Sequence, residues 1–284
     1  MSRSTRVSSA PAGARAEAPD VDTRQRDLRG HSLLAVFSHP DDESLACGGL
    51  LAWCAALGAQ VSLLCVTHGE HGPGHEDAVD LRATRAHELG AAAGCLGIAT
   101  HSLLDYEDGM LPWAERARLE ADIDTAIRRQ RPGVVITFGE DGLYWHPDHI
   151  AIHEATTAVV AAMGTVRPAL FYVTIPAGSM SAVVAHAAAE HARCGREGPP
   201  PRRILGISSA DAFGAMAASP TLVIQTGEFA TRKLAAIQCH RSQLIDSALT
   251  LVSPADATRL LGTEHYRRAD VGAQGEAFID RLGS

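Results

Sequence analysis

From Ser32 onward the chain alternates short apolar, β-branched runs with longer helix-like segments, and this alternation restricts the fold more than any other feature. Parallel strands need long crossovers, and the segments between the runs are long enough to supply them as helices. Strands are predicted over 32–38, 60–67, 133–139, 169–175 and 221–226. Helices are predicted over 48–57, 78–96, 114–130, 148–163, 179–193 and 230–244, with a short one over 254–261. Gly58 and Gly97 stand where helices can end in a left-handed residue, and Pro132-Gly133 stops a helix just before Val134-Val135-Ile136-Thr137-Phe138. The expected fold class is α/β: a Rossmann-like, mostly parallel sheet flanked by helices, with its site at the carboxyl ends of the strands.

The 284 residues, 46% hydrophobic and 20% charged, suffice for one such domain over 31–284 with a variable C-terminal part. Residues 1–30 are rich in Arg, Ser, Ala and Pro, lack the apolar core of a secretion signal, and read as a disordered leader. No run of about eighteen apolar residues is present, so no membrane span is expected and the default location is the cytoplasm. A net charge of -8 argues against nucleic acid as a partner. The six cysteines form no C-x-x-C pair and sit mostly among apolar neighbours, as reduced thiols that pack like small hydrophobes. The stretch 195–203 is a loop that links two elements or carries substrate specificity. Nothing in the pattern fixes an oligomeric state.

Two polar clusters follow two of the predicted strands. Ser38-His39-Pro40-Asp41-Asp42-Glu43-Ser44 follows the first, and His146-Pro147-Asp148-His149 comes shortly after the third. Ligands in open α/β sheets bind beyond the strands' carboxyl ends, so both clusters can meet at one edge. His39 and Asp42, three residues apart, can turn a nitrogen and an oxygen toward one ion, and His149 can complete a set of three protein ligands. A position then stays open for water, as in catalytic rather than structural zinc. Asp41, beside a ligand, suits a general base, and His146 suits stabilisation of an oxyanion. Pro147 fits the first turn of helix 148–163, and Asp148 reads as a carboxylate at the positive end of that helix. Glu43 and Ser44 read as supporting residues that satisfy free N–H groups ahead of helix 48–57.

At these residues the sequence resembles the LmbE-like, or PIG-L-like, family of metal-dependent N-deacetylases, whose hallmarks are H-P-D-D-E and a later H-P-D-H. Thr67-His68-Gly69-Glu70-His71-Gly72 resembles the family's glycine-rich loop, Arg85-Ala86-His87-Glu88-Leu89 its next helix, and His240-Arg241-Ser242-Gln243 its C-terminal motif. The resemblance covers about residues 32–245. It implies a Rossmann-like fold and removal of acetyl from N-acetylglucosamine-type amides, usually with zinc, Fe(II) or another divalent ion being the alternative. His39, Asp42 and His149 would be the ligands, Asp41 the base and His146 the oxyanion residue. Tyr144 resembles a tyrosine that assists the substrate carbonyl in mycothiol-pathway deacetylases, while Arg82 and Asp108 occupy regions where those relatives contact sugar hydroxyls. The extra histidines His68 and His71 read as solvated. The implied partner is a small N-acyl amino sugar or glycoside.

Three other readings remain open at this point. A related amidase could cleave a thiol conjugate or an antibiotic-pathway amide. Two histidines and a carboxylate also make the facial triad of non-haem iron oxygenases, although the H-x-x-D spacing speaks against it. A non-catalytic sugar-binding or nucleotide-binding protein is the third, but no G-x-G-x-x-G, Walker loop or G-x-S-x-G elbow occurs at the required places.

Overall fold

Each of Leu33 to Phe37 is at most 1% exposed, as a strand covered by helices on both faces requires. A computed structural model describes residues 27–72 and 81–283. In it β1 (Ser32–Phe37), β2 (Gln60–Thr67), β3 (Thr100–Tyr106), β4 (Val134–Phe138), β5 (Ala169–Thr174), β6 (Leu222–Gln225) and β7 (Thr263–Gly272) form one sheet of order β3-β2-β1-β4-β5-β7-β6. The first five strands run parallel, while β7 pairs antiparallel with both β5 and β6. The chain winds outward from β1 to β3, then returns to place β4 and β5 on the other side of β1. The switch point therefore falls between β1 and β4, the crevice where such sheets bind ligands.

The helices are α1 (Asp42–Ala56), α2 (Leu81–Leu96), α3 (Arg116–Gln130), α4 (Pro147–Ala162), α5 (Ser179–Arg193), α6 (Ala230–Ile237) and α7 (Pro254–Leu261). Under the switch point Phe37 of β1 meets Phe138 of β4 edge to face, with ring centroids 4.9 Å apart. Both rings are fully buried, each contributing roughly 1.5–3 kcal/mol relative to an exposed ring. Among the described residues no helix is long and apolar enough to cross a membrane.

Several expected boundaries are corrected. The first helix begins at Asp42, not near residue 48, and kinks at Cys47, whose φ is -143°. Beyond the kink Gly49 and Leu50 donate their N–H groups to Glu264, so Gly48-Gly49 opens a second helical stretch rather than the whole helix. Gly49 must be glycine, because an added Cβ would lie 2.4 Å from Thr226 Oγ1. Glu43 and Ser44 thus lie inside α1. The helix expected over 230–244 ends at Ile237 and resumes as a 3-10 turn, Arg241–Gln243. Strands β3 and β7 were not anticipated. The first is an exposed edge strand carrying Thr100, His101 and Asp105, and the second is interrupted by Glu264, His265, Arg267 and Arg268. Residues 1–26 of the leader expected over 1–30 and the helix positions 78–80 lie outside the described residues.

Candidate active site

The chain leaves β1 at Phe37 and enters α1 five residues later, so His39, Asp41 and Asp42 are held over the end of the sheet. Beyond β4, the turn Gly142–Trp145 departs from helical geometry, with φ of 53° at Gly142, 65° at Leu143 and 66° at Trp145. Positive φ at two non-glycine residues is a strained arrangement that persists only where surroundings enforce it. It delivers Tyr144, His146 and His149 opposite the first cluster.

His39 Nδ1 and His149 Nε2 are 3.1 Å apart. Asp42 Oδ2 lies 3.4 Å from His39 Nδ1, and its Oδ1 lies 3.2 Å from His149 Nε2. Donors bonded tetrahedrally at ~2.0–2.1 Å stand about 3.3 Å apart, so the two imidazole nitrogens, with a different Asp42 oxygen facing each, are spaced as one zinc-sized ion would require. The tautomers agree. His149 Nδ1 is 3.1 Å from the Gly142 carbonyl, which can only accept, so Nδ1 carries the proton and the Nε2 lone pair faces the other donors. His39 Nε2 faces Asp108 Oδ1 at 3.0 Å and Asp148 Oδ2 at 3.2 Å, so Nε2 carries a proton and Nδ1 is the atom that faces inward. The Phe138 ring stacks on His149 at 3.9 Å and fixes its plane.

Burial opposes charge on both imidazoles, with different outcomes. It pushes His149 down to about 3, whereas at His39 the carboxylates of Asp108, Asp148 and Asp42 outweigh it and raise the pKa. Burial works against an Asp42 carboxylate too, but His149 and His39 hold it below its ordinary range. Asp41 behaves oppositely: burial pushes its carboxyl up, Arg85 partly offsets this, and Asp42 reinforces it.

Asp41 adopts φ 120°, an unusual angle for a side-chain-bearing residue. Its N–H donates to Glu43 Oε2 at 3.1 Å, and its carboxylate accepts from Arg85 at 3.1 Å. Arg85 also donates to the carbonyls of Pro40 and Gly69. Glu43 Oε1 takes the Ser44 hydroxyl and meets His240 Nε2 at 3.1 Å. On the other side His146 Nδ1 accepts the Asp148 N–H at 3.2 Å, so its Nε2 carries the ring proton. Burial lowers His146 and keeps it neutral.

The cleft has a volume of about 240 Å³, and His39, Asp41, Asp42, Tyr144, His146 and Asp108 line it. His149 stands behind them, fully buried. Arg82 does not line the cleft and pairs instead with Asp105 and Glu70. Arg85, one helical turn further along, is 3% exposed and does line it. His71 lines it too, donating its N–H to Asp108 Oδ2, and His68 is half-buried against Asp105. Sequence reasoning missed the reach of Asp148 to His39 and the Glu43–His240 pair; buried polar residues seeking partners were the only signal.

Hydrolysis of an N-acyl amide is the chemistry this arrangement supports, and the chain is a hydrolase of that class. The family described as PIG-L: GlcNAc-PI de-N-acetylase matches residues 34–160. A 1D-myo-inositol 2-acetamido-2-deoxy-alpha-D-glucopyranoside deacetylase from Acidothermus cellulolyticus is 32% identical over 263 residues, covering 83% of this chain and 87% of that protein. The chain belongs to the PIG-L family of deacetylases. The fold is shared with an N,N'-diacetylchitobiose deacetylase from Pyrococcus horikoshii (TM-score 0.56, 20% identity, 87% of this chain and 89% of that one). It is shared equally with a 4-carboxy-2-hydroxymuconate hydratase from Pseudomonas putida (TM-score 0.57, 16% identity, 87% and 99%). Fold alone therefore does not fix the reaction, which rests on the site and on the sequence relatives.

Proposed function

We propose that the protein is a zinc-dependent N-deacetylase of a small N-acetylated amino sugar or glycoside. The observation that carries this is the set of His39, Asp42 and His149 donor atoms 3.1–3.4 Å apart with Asp41 alongside. The substrate named for the Acidothermus relative, an acetamido-glucopyranoside of inositol, supports an N-acetylglucosamine unit. Fe(II) or another divalent ion is the alternative that such a donor set accepts. The proposal includes a cytoplasmic location, where thiols such as Cys47 and Cys54 stay reduced.

His39, Asp42 and His149 would hold the zinc, which when bound would acidify a water and polarise the amide carbonyl. Asp41 takes the proton from the attacking water and returns it to the nitrogen as the C–N bond breaks. Arg85 holds that carboxylate in place through the transfer. His146, neutral with its proton on Nε2, donates to the carbonyl oxygen as negative charge grows there, and Tyr144 adds its hydroxyl. The products are a free amine and acetate.

Release of amine and acetate from N-acetylglucosamine and its inositol glycoside, before and after chelation and zinc restoration, tests the reading. Chelation is expected to abolish turnover and zinc to restore it. Asp41→Asn is expected to keep the ion and lose roughly 10²–10⁴ in rate. Chelator-insensitive turnover, or full activity of zinc-loaded Asp41→Asn, would overturn the assignment.

A further inference from the structure

The two sides of the cleft differ in chemistry. Arg85, His71 and Asp108 belong to segments that follow β2 and β3, and Gln243 sits against Gly72 on the same side. The opposite wall is Leu143, Ile204, Leu205, Ile207 and Phe213. Phe213 stacks obliquely on Tyr144 at 4.8 Å, and Gly214 packs against the backbone of Ile175 and Ala177 just beyond β5. Sheet order therefore sets the polar wall on the β2/β3 side of the catalytic groups and Phe213 on the β5 side, while the Ile204–Ile207 turn is held by the Arg203–Asp246 and Arg203–Ala248 backbone bonds.

An amide held over β1 and β4 has a substituent on each side. Sugar hydroxyls need hydrogen-bonding groups, which among the described residues the β2/β3 wall presents in number, so the acyl group faces the apolar wall. We infer that the cleft accepts an N-acyl chain longer than acetyl, laid along Ile204, Leu205, Ile207 and Phe213. The inference rests on the N-deacylase reading and names the acyl class of its substrate.

The wall's own backbone supports it. Ile204 and Ile207 exchange two 2.9 Å hydrogen bonds around Leu205 and Gly206, whose φ values are 45° and 86°. Positive φ at both central residues is the type I′ pattern, a place for Asn, Asp or Gly. A leucine is disfavoured there by its Cβ, and the tip of such a turn is usually solvated. Here Leu205 is 8% exposed and faces the cleft. Two large apolar side chains in neighbouring segments are exposed: Met216, 69%, three residues beyond Phe213, and Ile245, 49%, next to Asp246, whose carbonyl accepts the Arg203 N–H.

The reaction stays balanced: water adds to the carbonyl carbon, the C–N bond breaks, and the products are the amino sugar and a fatty carboxylate. The test is a series of N-acyl glucosamines with acetyl, butyryl and hexanoyl groups, run on the zinc-loaded protein. From acetyl to butyryl kcat/KM is expected to rise roughly fourfold per methylene, chiefly through KM. Leu205→Asn suits the positive φ and keeps the turn while removing the apolar side chain. It is expected to cut the hexanoyl-to-acetyl ratio of kcat/KM about tenfold. Turnover of acetyl with a flat or falling series overturns the inference and leaves the deacetylase reading intact. No turnover of any member overturns that reading itself. A gain with alkyl glycosides of N-acetylglucosamine instead of longer acyl groups assigns the wall to the aglycone and overturns the acyl assignment, as does an unchanged ratio in Leu205→Asn.

Discussion

Asp148 Oδ2 lies 3.2 Å from His39 Nε2, across 109 residues of chain. The same carboxylate accepts the N–H groups of Gly109 at 2.8 Å and Leu111 at 3.1 Å. One side chain at the start of α4 thus ties the loop after β1 to the loop after β3. Outer partners of this kind set the ring orientation of a ligating histidine. In the proposed metal site, Asp148→Ala is expected to weaken binding of added zinc by roughly 10–100-fold, read by competition with a chromophoric chelator. An unchanged affinity would show that Asp108 orients His39 alone.

The two polar clusters were legible because each is local in sequence and follows an apolar strand. His39 and Asp42 need only the spacing of three residues to converge. Asp148 was not legible as a partner of His39: a carboxylate at a helix start has a sufficient local explanation in the helix dipole, and its true contacts belong to β1 and β3. Edge strand β3 hid because exposed residues carry no apolar run. Strand β7 hid because its buried Glu264 is satisfied by partners far away in sequence. The strained Leu205 turn had no signal, since leucine is the residue least expected there.

Arg82 and Arg85 are three residues apart on α2, so sequence spacing alone does not say which one enters the cleft. Arg85 binds Asp41 and the carbonyls of Pro40 and Gly69, while Arg82 meets Asp105, whose side chain is 78% exposed. Removing a buried partner leaves an uncompensated carboxylate, whereas exposed pairs contribute at most about 1 kcal/mol. Arg85→Ala is expected to lower kcat/KM by roughly 10²-fold or more, and Arg82→Ala by no more than about fivefold. Equal losses in the two variants would contradict the placement of Arg85 at the proposed base.

Glu264 is a structural counterpart of the active-site carboxylates. It is 2% exposed and accepts from Gly49 N, Leu50 N, Lys233 Nζ and Tyr266 Oη, all at 2.7–2.8 Å. Glu264→Ala leaves the Lys233 ammonium buried without its partner and frees two N–H groups at the kink of α1. A loss of about 3–5 kcal/mol in unfolding free energy is expected from urea titration. A loss below about 1 kcal/mol would mean that water replaces the carboxylate.

His240 is fully buried, and its Nε2 meets Glu43, whose other oxygen accepts the N–H of Asp41. Burial disfavours the imidazolium, but the Glu43 charge and hydrogen bond, helped by Asp41 and opposed by Arg85, raise the pKa above 6.5. A histidine whose folded pKa exceeds its unfolded value contributes stability that is complete below the unfolded pKa. That contribution is lost as pH rises through the folded value. His240→Gln removes the titration, so its destabilisation is expected to be largest near about pH 6 and to shrink toward about pH 9. Urea midpoints of both proteins at the two pH values measure the difference. A constant difference would show that His240 stays neutral and acts on Glu43 only as a neutral hydrogen-bond donor. The Asp41 backbone would then be positioned without the ion pair.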